Sequence, residues 1–143
     1  MPVFRCPADL TQTGDPFYGP GNYASNNLLL RRRARLSPEG IPDGLAHTVL
    51  FAEKYAACSY WALAEGEAVP WYVAAGESGF QVRPQTCDPA LPQAPHPEGI
   101  QVGLADGSVR LVRTGVSHAT WYAAHTSGGH EQLGEGPYAD WQP

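Results

Sequence analysis

Three cysteines, five histidines and 14 acidic side chains are the groups of this 143-residue chain that could bind a metal or perform nucleophilic chemistry. Zinc needs three or four convergent ligands with supporting outer contacts. The chain has no Cys-x-x-Cys pair and none of the strong zinc spacings. His118 and His125 are two turns apart on one face if a helix forms there, His130 follows them, and His47 and His96 lie far off in sequence. The histidines therefore read as surface or hydrogen-bonding groups, and no transition-metal set is assigned. Calcium, a hard cation that takes loop carboxylates and carbonyls, has Asp9, Asp15, Asp43, Asp88 and Asp140 as scattered candidates.

Nucleophilic catalysis wants a Ser or Cys in a strained turn, with His and Asp in reach. No Gly-x-Ser-x-Gly occurs, and Ser78 in Gly-Glu-Ser-Gly is too short a match. Cys58 with His96 is conceivable, but a Cys58–Cys87 disulfide closing the middle of the chain is the preferred pairing, with Cys6 left over. Such a bridge would imply an oxidising compartment. The alternative is three reduced thiols. The expectation is a protein that is not an enzyme and needs no cofactor, calcium being the possible exception.

The stretch His96-Pro97-Glu98-Gly99-Ile100-Gln101-Val102-Gly103-Leu104-Ala105-Asp106-Gly107-Ser108-Val109-Arg110-Leu111-Val112 carries the clearest structural signal. Ile100, Val102 and Leu104 alternate before Asp106-Gly107, and Val109 and Leu111 alternate after it. That pattern predicts a hairpin with a type I′ turn, which needs positive φ at Asp106 and Gly107. His96 then lies at the far end of the first strand, about 30 Å from the turn at ~3.3 Å per residue. The two residues are landmarks of a scaffold and not a catalytic dyad. Asp106 serves the turn, and His96 is expected to cap a loop or bond a backbone carbonyl.

The elements around that hairpin are short. Sixteen Gly and 14 Pro, with only 16% charged residues, argue against long helices, and 43% apolar content argues against global disorder. Residues 48–55 (Thr-Val-Leu-Phe-Ala-Glu-Lys-Tyr) read as a central strand buried on both faces, or else a short helix. Ile41-Pro42-Asp43-Gly44 reads as the turn before it. Residues 28–30 read as a strand, and residues 84–97 as a Pro-rich extended connector. Ser117 would cap a helix over 119–125 that ends at Gly128-Gly129. Trp61, Trp71, Trp121 and Trp141 read as core, although they would stack on sugars if exposed.

The formal charge of −5 is uneven: residues 1–36 sum to +3, mostly from Arg31, Arg32, Arg33 and Arg35, and residues 37–143 sum to −8. An acidic chain with one basic run is a poor phosphate binder, so no nucleic-acid partner is expected. No apolar stretch is long enough to cross a bilayer, and the first residues lack a signal-peptide core.

In order, these landmarks resemble the prepilin-type domain with an H-x9-D-G signature, abundant in Planctomycetes and related bacteria. Phe4-Arg5-Cys6-Pro7-Ala8-Asp9 resembles the family's Cys-Pro-Ser-Asp turn, and Gly21-Asn22-Tyr23-Ala24 its Asn-Tyr segment. Asp43-Gly44 through Thr48, Leu50 and Glu53 resembles its Asp-Gly-x-x-x-Thr-x-Leu-x-x-Glu block, and His96 with Asp106-Gly107 is the signature. Residues 117–123 resemble its Pro-x-x-Trp helix and residues 129–141 its closing strand. Glu98, His47 and the Arg run depart from the usual pattern.

The resemblance implies a pilin-head-like antiparallel sheet without the family's long N-terminal helix. One α+β, mostly β domain over residues 1–143 is therefore expected. It implies a structural or accessory subunit of an extracytoplasmic assembly, in the periplasm or on the cell surface, meeting copies of itself or other subunits. Arg31, Arg32, Arg33 and Arg35 could dock an acidic partner. The alternative is a calcium- or glycan-binding module on the cell surface.

Overall fold

The computed structural model describes residues 4–11, 21–26, 28–30, 37–56, 58, 72–73, 79–88, 91–129 and 132–141. The fold is α+β and mostly β. Its main sheet has the strand order β3-β1-β2-β6-β7, with β1 Tyr23–Asn26, β2 Val49–Glu53, β3 Tyr72–Val73, β6 Gly99–Leu104 and β7 Val109–Arg113. β1, β2, β6 and β7 are antiparallel neighbours, and β3 adds parallel to β1. β4 Gln81–Val82 and β5 Gln93–Ala94 form a small parallel pair, so the Pro-rich connector contributes a strand of its own. There is one α-helix among the described residues, α1 His118–Ala123. Among the described residues no helix is long and apolar enough to cross a membrane.

The central hairpin forms where the Asp-Gly pair stands, but its loop is one residue longer than a type I′ turn. Gly107 N–H donates to the Leu104 carbonyl at 3.0 Å and Leu104 N–H to the Ser108 carbonyl at 2.9 Å. Gly107 has φ +85°, whereas Asp106 is not among the positive-φ residues. Ala105 and Asp106 therefore occupy the middle of a type I-like turn, and Gly107 supplies the left-handed step of a bulge. Asp106 Oδ1 accepts from Ser108 N–H at 2.8 Å and from its hydroxyl at 2.6 Å, which holds the Asp106 carboxyl below its ordinary range.

That extra residue flips the outgoing strand. The register pairs Gly103 with Val109, Val102 with Arg110 and Ile100 with Val112. Val112 joins the buried face, while Val109 is 66% exposed. A one-residue slip sends every side chain to the other face, so Val109 and Leu111 lie opposite the face that Ile100, Val102 and Leu104 bury.

β2 is central, between β1 and β6, and it is not a helix. It is not buried on both faces throughout: Val49, Ala52 and Glu53 are buried, but Phe51 is 45% exposed. The register with β6 shifts between Val49 and Phe51, so Leu50 is an extra residue that turns the strand there. Residues 28–30 are a turn and not a strand. Asn26 Oδ1 accepts from Leu28 N–H at 2.9 Å and its carbonyl accepts from Leu30 N–H at 2.9 Å, so Asn26 ends β1 and reverses the chain.

Ser117 caps α1 as expected, accepting from Thr120 N–H at 3.2 Å. The helix stops at Ala123, before Gly128-Gly129, where Thr126 N–H and its hydroxyl both turn back to the Ala123 carbonyl. Residues 132–141 hold a 3-10 turn at Gly136–Tyr138 and no strand among the described residues, contrary to the expected closing strand. Gly134, Gly136 and Pro137 favour tight turns there over a ladder.

α1 covers the sheet's buried face. Trp121, fully buried, packs with Val49, Ile100, Val102, Leu104, Val112, Leu133 and Trp141, and its ring meets Phe80 at a centroid distance of 4.8 Å. Each such aliphatic side chain taken fully out of water stabilises the fold by ~1.5–3 kcal/mol. Cys58 and Cys87 are joined by a disulfide with a sequence separation of 29. A disulfide of this kind fits an oxidising, extracytoplasmic setting.

Candidate functional site

The motif residues do not stay scattered. Two Asp-Gly turns meet at one end of the sheet: Asp106 N–H donates to the Leu45 carbonyl at 3.1 Å, and Ala105 N–H to the Thr48 carbonyl at 2.8 Å. Gly44, at φ +92°, closes the Asp43-Gly44 turn by donating to Ile41 at 3.0 Å. His96 and Asp106 are not partners; they serve different ends of the hairpin.

At the other end, the N-terminal turn is fastened onto β1 and β2 through Asn22. Its Oδ1 accepts from Cys6 N–H at 2.8 Å, and its Nδ2 donates to Asp9 Oδ2 at 2.6 Å and to the Lys54 carbonyl at 3.0 Å. Asp9 also accepts from Thr11 N–H and hydroxyl and from Ala56 N–H. Burial pushes the Asp9 carboxyl up, but the hydrogen bonds from Ala56, Thr11 and Asn22 outweigh it and hold the group below its ordinary range. This saturated carboxylate is a structural clamp.

That clamp sets Cys6 beside two residues from other elements. Cys6 Sγ stands 3.5 Å from His96 Nε2, and His96 Nε2 stands 3.2 Å from Glu53 Oε1. Glu53 closes β2, and its Oε2 accepts from Gln101 N–H on β6 at 2.9 Å, which leaves Oε1 turned toward the histidine. Cys6 and Glu53 are buried, whereas the His96 side chain keeps 29% of its surface exposed. Burial raises the Glu53 carboxyl above its ordinary range, against the pull of the Gln101 hydrogen bond and of His96.

His96 thus bonds side chains where a carbonyl was expected. Both close contacts fall on one nitrogen, Nε2, so the ring does not relay between thiol and carboxylate as a triad histidine does through its two nitrogens. A thiol sulfur, an imidazole nitrogen and a carboxylate oxygen instead converge, all within 4.8 Å of one another. No sequence spacing announced this set, since Cys6 and His96 are 90 residues apart. The available signal lay in the motif pieces themselves: the Cys-Pro turn, the closing Glu of the Thr-x-Leu-x-x-Glu block and the His of the signature each contribute one member.

The other candidates are dispersed. His125 is buried with Nδ1 at 2.8 Å from the Trp121 carbonyl, while His118 is exposed, so the two do not share a site. Asp140 accepts from Ser117 N–H at 2.6 Å and from the Thr120 hydroxyl, tying the C-terminal segment to α1. Asp88 is exposed and Asp43 is buried in its turn. Trp121 and Trp141 are core residues and present no sugar-stacking face. Asp15, Ser78, His130, Trp61, Trp71, Arg31, Arg32, Arg33 and Arg35 lie outside the described residues.

Comparison with protein-family models, curated proteins and solved structures finds no match to this chain.

Proposed function

We propose that the chain is a non-enzymatic structural or accessory subunit of an extracytoplasmic, pseudopilin-like or membrane-associated assembly, and that β7 is the edge by which it joins a second copy of itself. The observation that carries this reading is the character of β7. It ends the main sheet, with Val109, Arg110 and Arg113 exposed along it. The bonds Leu104 N–H to Ser108 O and Thr114 N–H to Glu98 O flank the β6–β7 ladder. Antiparallel alternation then assigns the inward bonds to the Arg110 and Val112 pairs and turns the N–H groups of Val109, Leu111 and Arg113 outward. An edge of this kind can accept another strand. Arg110 and Arg113 set positive charge on that edge in a chain whose net charge is −5, which complements acidic surface on a neighbouring copy. The disulfide supports the compartment. The resemblance to prepilin-type heads supports the class.

Sedimentation velocity over a range of protein concentrations tests the reading. Self-association is expected, weakening with salt and abolished by Val109→Lys, which charges the edge without touching the core. A monomer throughout the range would overturn it. Arg31–Arg35 would add a second basic contact, so an Arg-to-Ser exchange there is expected to weaken association in low salt; indifference to that exchange would remove the run from the interface.

A further inference from the structure

We propose that Cys6, Glu53 and His96 form a binding site for a divalent transition-metal ion of the zinc type, a function independent of the assembly reading above. The geometry is the first argument. Around a tetrahedral zinc with Zn–S of about 2.3 Å and Zn–N and Zn–O of about 2.0–2.2 Å, sulfur and nitrogen ligands stand about 3.5 Å apart and nitrogen and oxygen ligands about 3.3 Å. The observed separations are 3.5 Å for Cys6 Sγ to His96 Nε2 and 3.2 Å for His96 Nε2 to Glu53 Oε1. The thiol sulfur and the carboxylate oxygen both stand at ligand–ligand distance from Nε2, the spacing that a shared cation would use.

Charge is the second argument. Glu53 is 2% exposed and Cys6 is 5% exposed, so a carboxylate and a thiolate side by side would be costly there. A doubly charged cation cancels both, with neutral imidazole as the third donor. Ligand softness then selects the ion. Thiolate and imidazole favour zinc and its neighbours over calcium or magnesium, which take oxygen donors.

Preorganisation is the third. Each donor is held by the chain around it: Glu53 through the Gln101 N–H on Oε2, Cys6 through its backbone bond to Asn22 Oδ1, and His96 by its place just ahead of β6. Such outer contacts orient metal ligands before the ion arrives. Three protein donors with a partly exposed histidine match the open type of site, which leaves one coordination position to water or to an added ligand.

The test titrates cobalt(II) and zinc(II) into chelator-treated, disulfide-intact protein. One equivalent of cobalt should bind with a thiolate-to-cobalt charge-transfer band and the intense visible bands of tetrahedral cobalt, and zinc should displace it. Zinc, but not calcium, should raise the melting temperature. Cys6→Ser should abolish the charge-transfer band, and His96→Ala should weaken zinc binding by at least ~100-fold, beyond the loss typical of an outer-contact mutation. Wild-type protein alone decides the matter if the variants fold poorly. Absence of the charge-transfer band, or of a zinc-dependent melting shift, would overturn the site, as would a band retained in Cys6→Ser.

Discussion

A Cβ atom placed on Gly99 would stand 2.0 Å from the carbonyl oxygen of Val112, which precedes Arg113, the partner of Gly99 across the β6–β7 ladder. Gly99 also has φ +156°, outside the range that side chains favour. β6 thus begins with a close backbone approach that admits no side chain. Gly99→Ala should destabilise the fold by about 3–5 kcal/mol, combining overpacking against backbone with an unfavourable φ. Gly103→Ala is the control: its Cβ would meet Phe51 side-chain atoms at an ordinary 3.8 Å, so a change within ~1 kcal/mol is expected. Urea denaturation of both variants checks this, and similar midpoints for the two would refute it.

The disulfide closes a loop that runs from Cys58, beyond β2, to Cys87, beyond β4. In the chain-entropy view, a separation of 29 residues corresponds to about 3–4 kcal/mol of stabilisation from restricting the unfolded chain. The double variant Cys58→Ser/Cys87→Ser should lose that amount, and wild-type protein in excess reductant should lose it too. Melting of all three samples at one temperature would show that the bridge carries no such weight.

Part of this architecture is legible in the sequence because it is local. Asp106-Gly107 announces a hairpin and Ser117 a helix start through side chains that bond within a few residues of themselves, and Asp43-Gly44 announces a turn that a local backbone bond closes. The register of that hairpin is not legible, because it depends on whether Asp106 adopts positive φ; it does not, and one residue decides which face Val109 takes. Leu28-Leu29-Leu30 misleads for a similar reason. Its composition suits a strand, but Asn26 offers both Oδ1 and its carbonyl to the next residues and bends the chain first. The Cys6, Glu53 and His96 cluster is assembled by the β2–β6 pairing and the Asn22 clamp. No spacing rule reaches across such a distance in sequence.

His125 makes acid stability the last point at which the structure commits itself. Its ring is fully buried beside Trp121, at a centroid distance of 4.5 Å, with Nδ1 against the Trp121 carbonyl. A carbonyl only accepts, so Nδ1 carries the proton of the neutral ring. Burial outweighs that hydrogen bond and pushes the histidine down from 6.5 to about 4. Between those values the unfolded chain binds a proton that the folded chain refuses. Stability from this residue is therefore complete above the unfolded value, declines as pH falls through the window, and levels off below about 4. The loss across the window is about 3 kcal/mol at ~1.4 kcal/mol per pH unit. His125→Gln keeps an N–H for the Trp121 carbonyl but cannot titrate. Denaturation midpoints taken from neutral pH down to the acid end of the window should fall more steeply for wild type than for His125→Gln, since Glu53, Asp9 and the other carboxylates titrate alike in both. Parallel curves would mean that His125 is protonated in the folded protein, and the buried neutral ring would have to be abandoned.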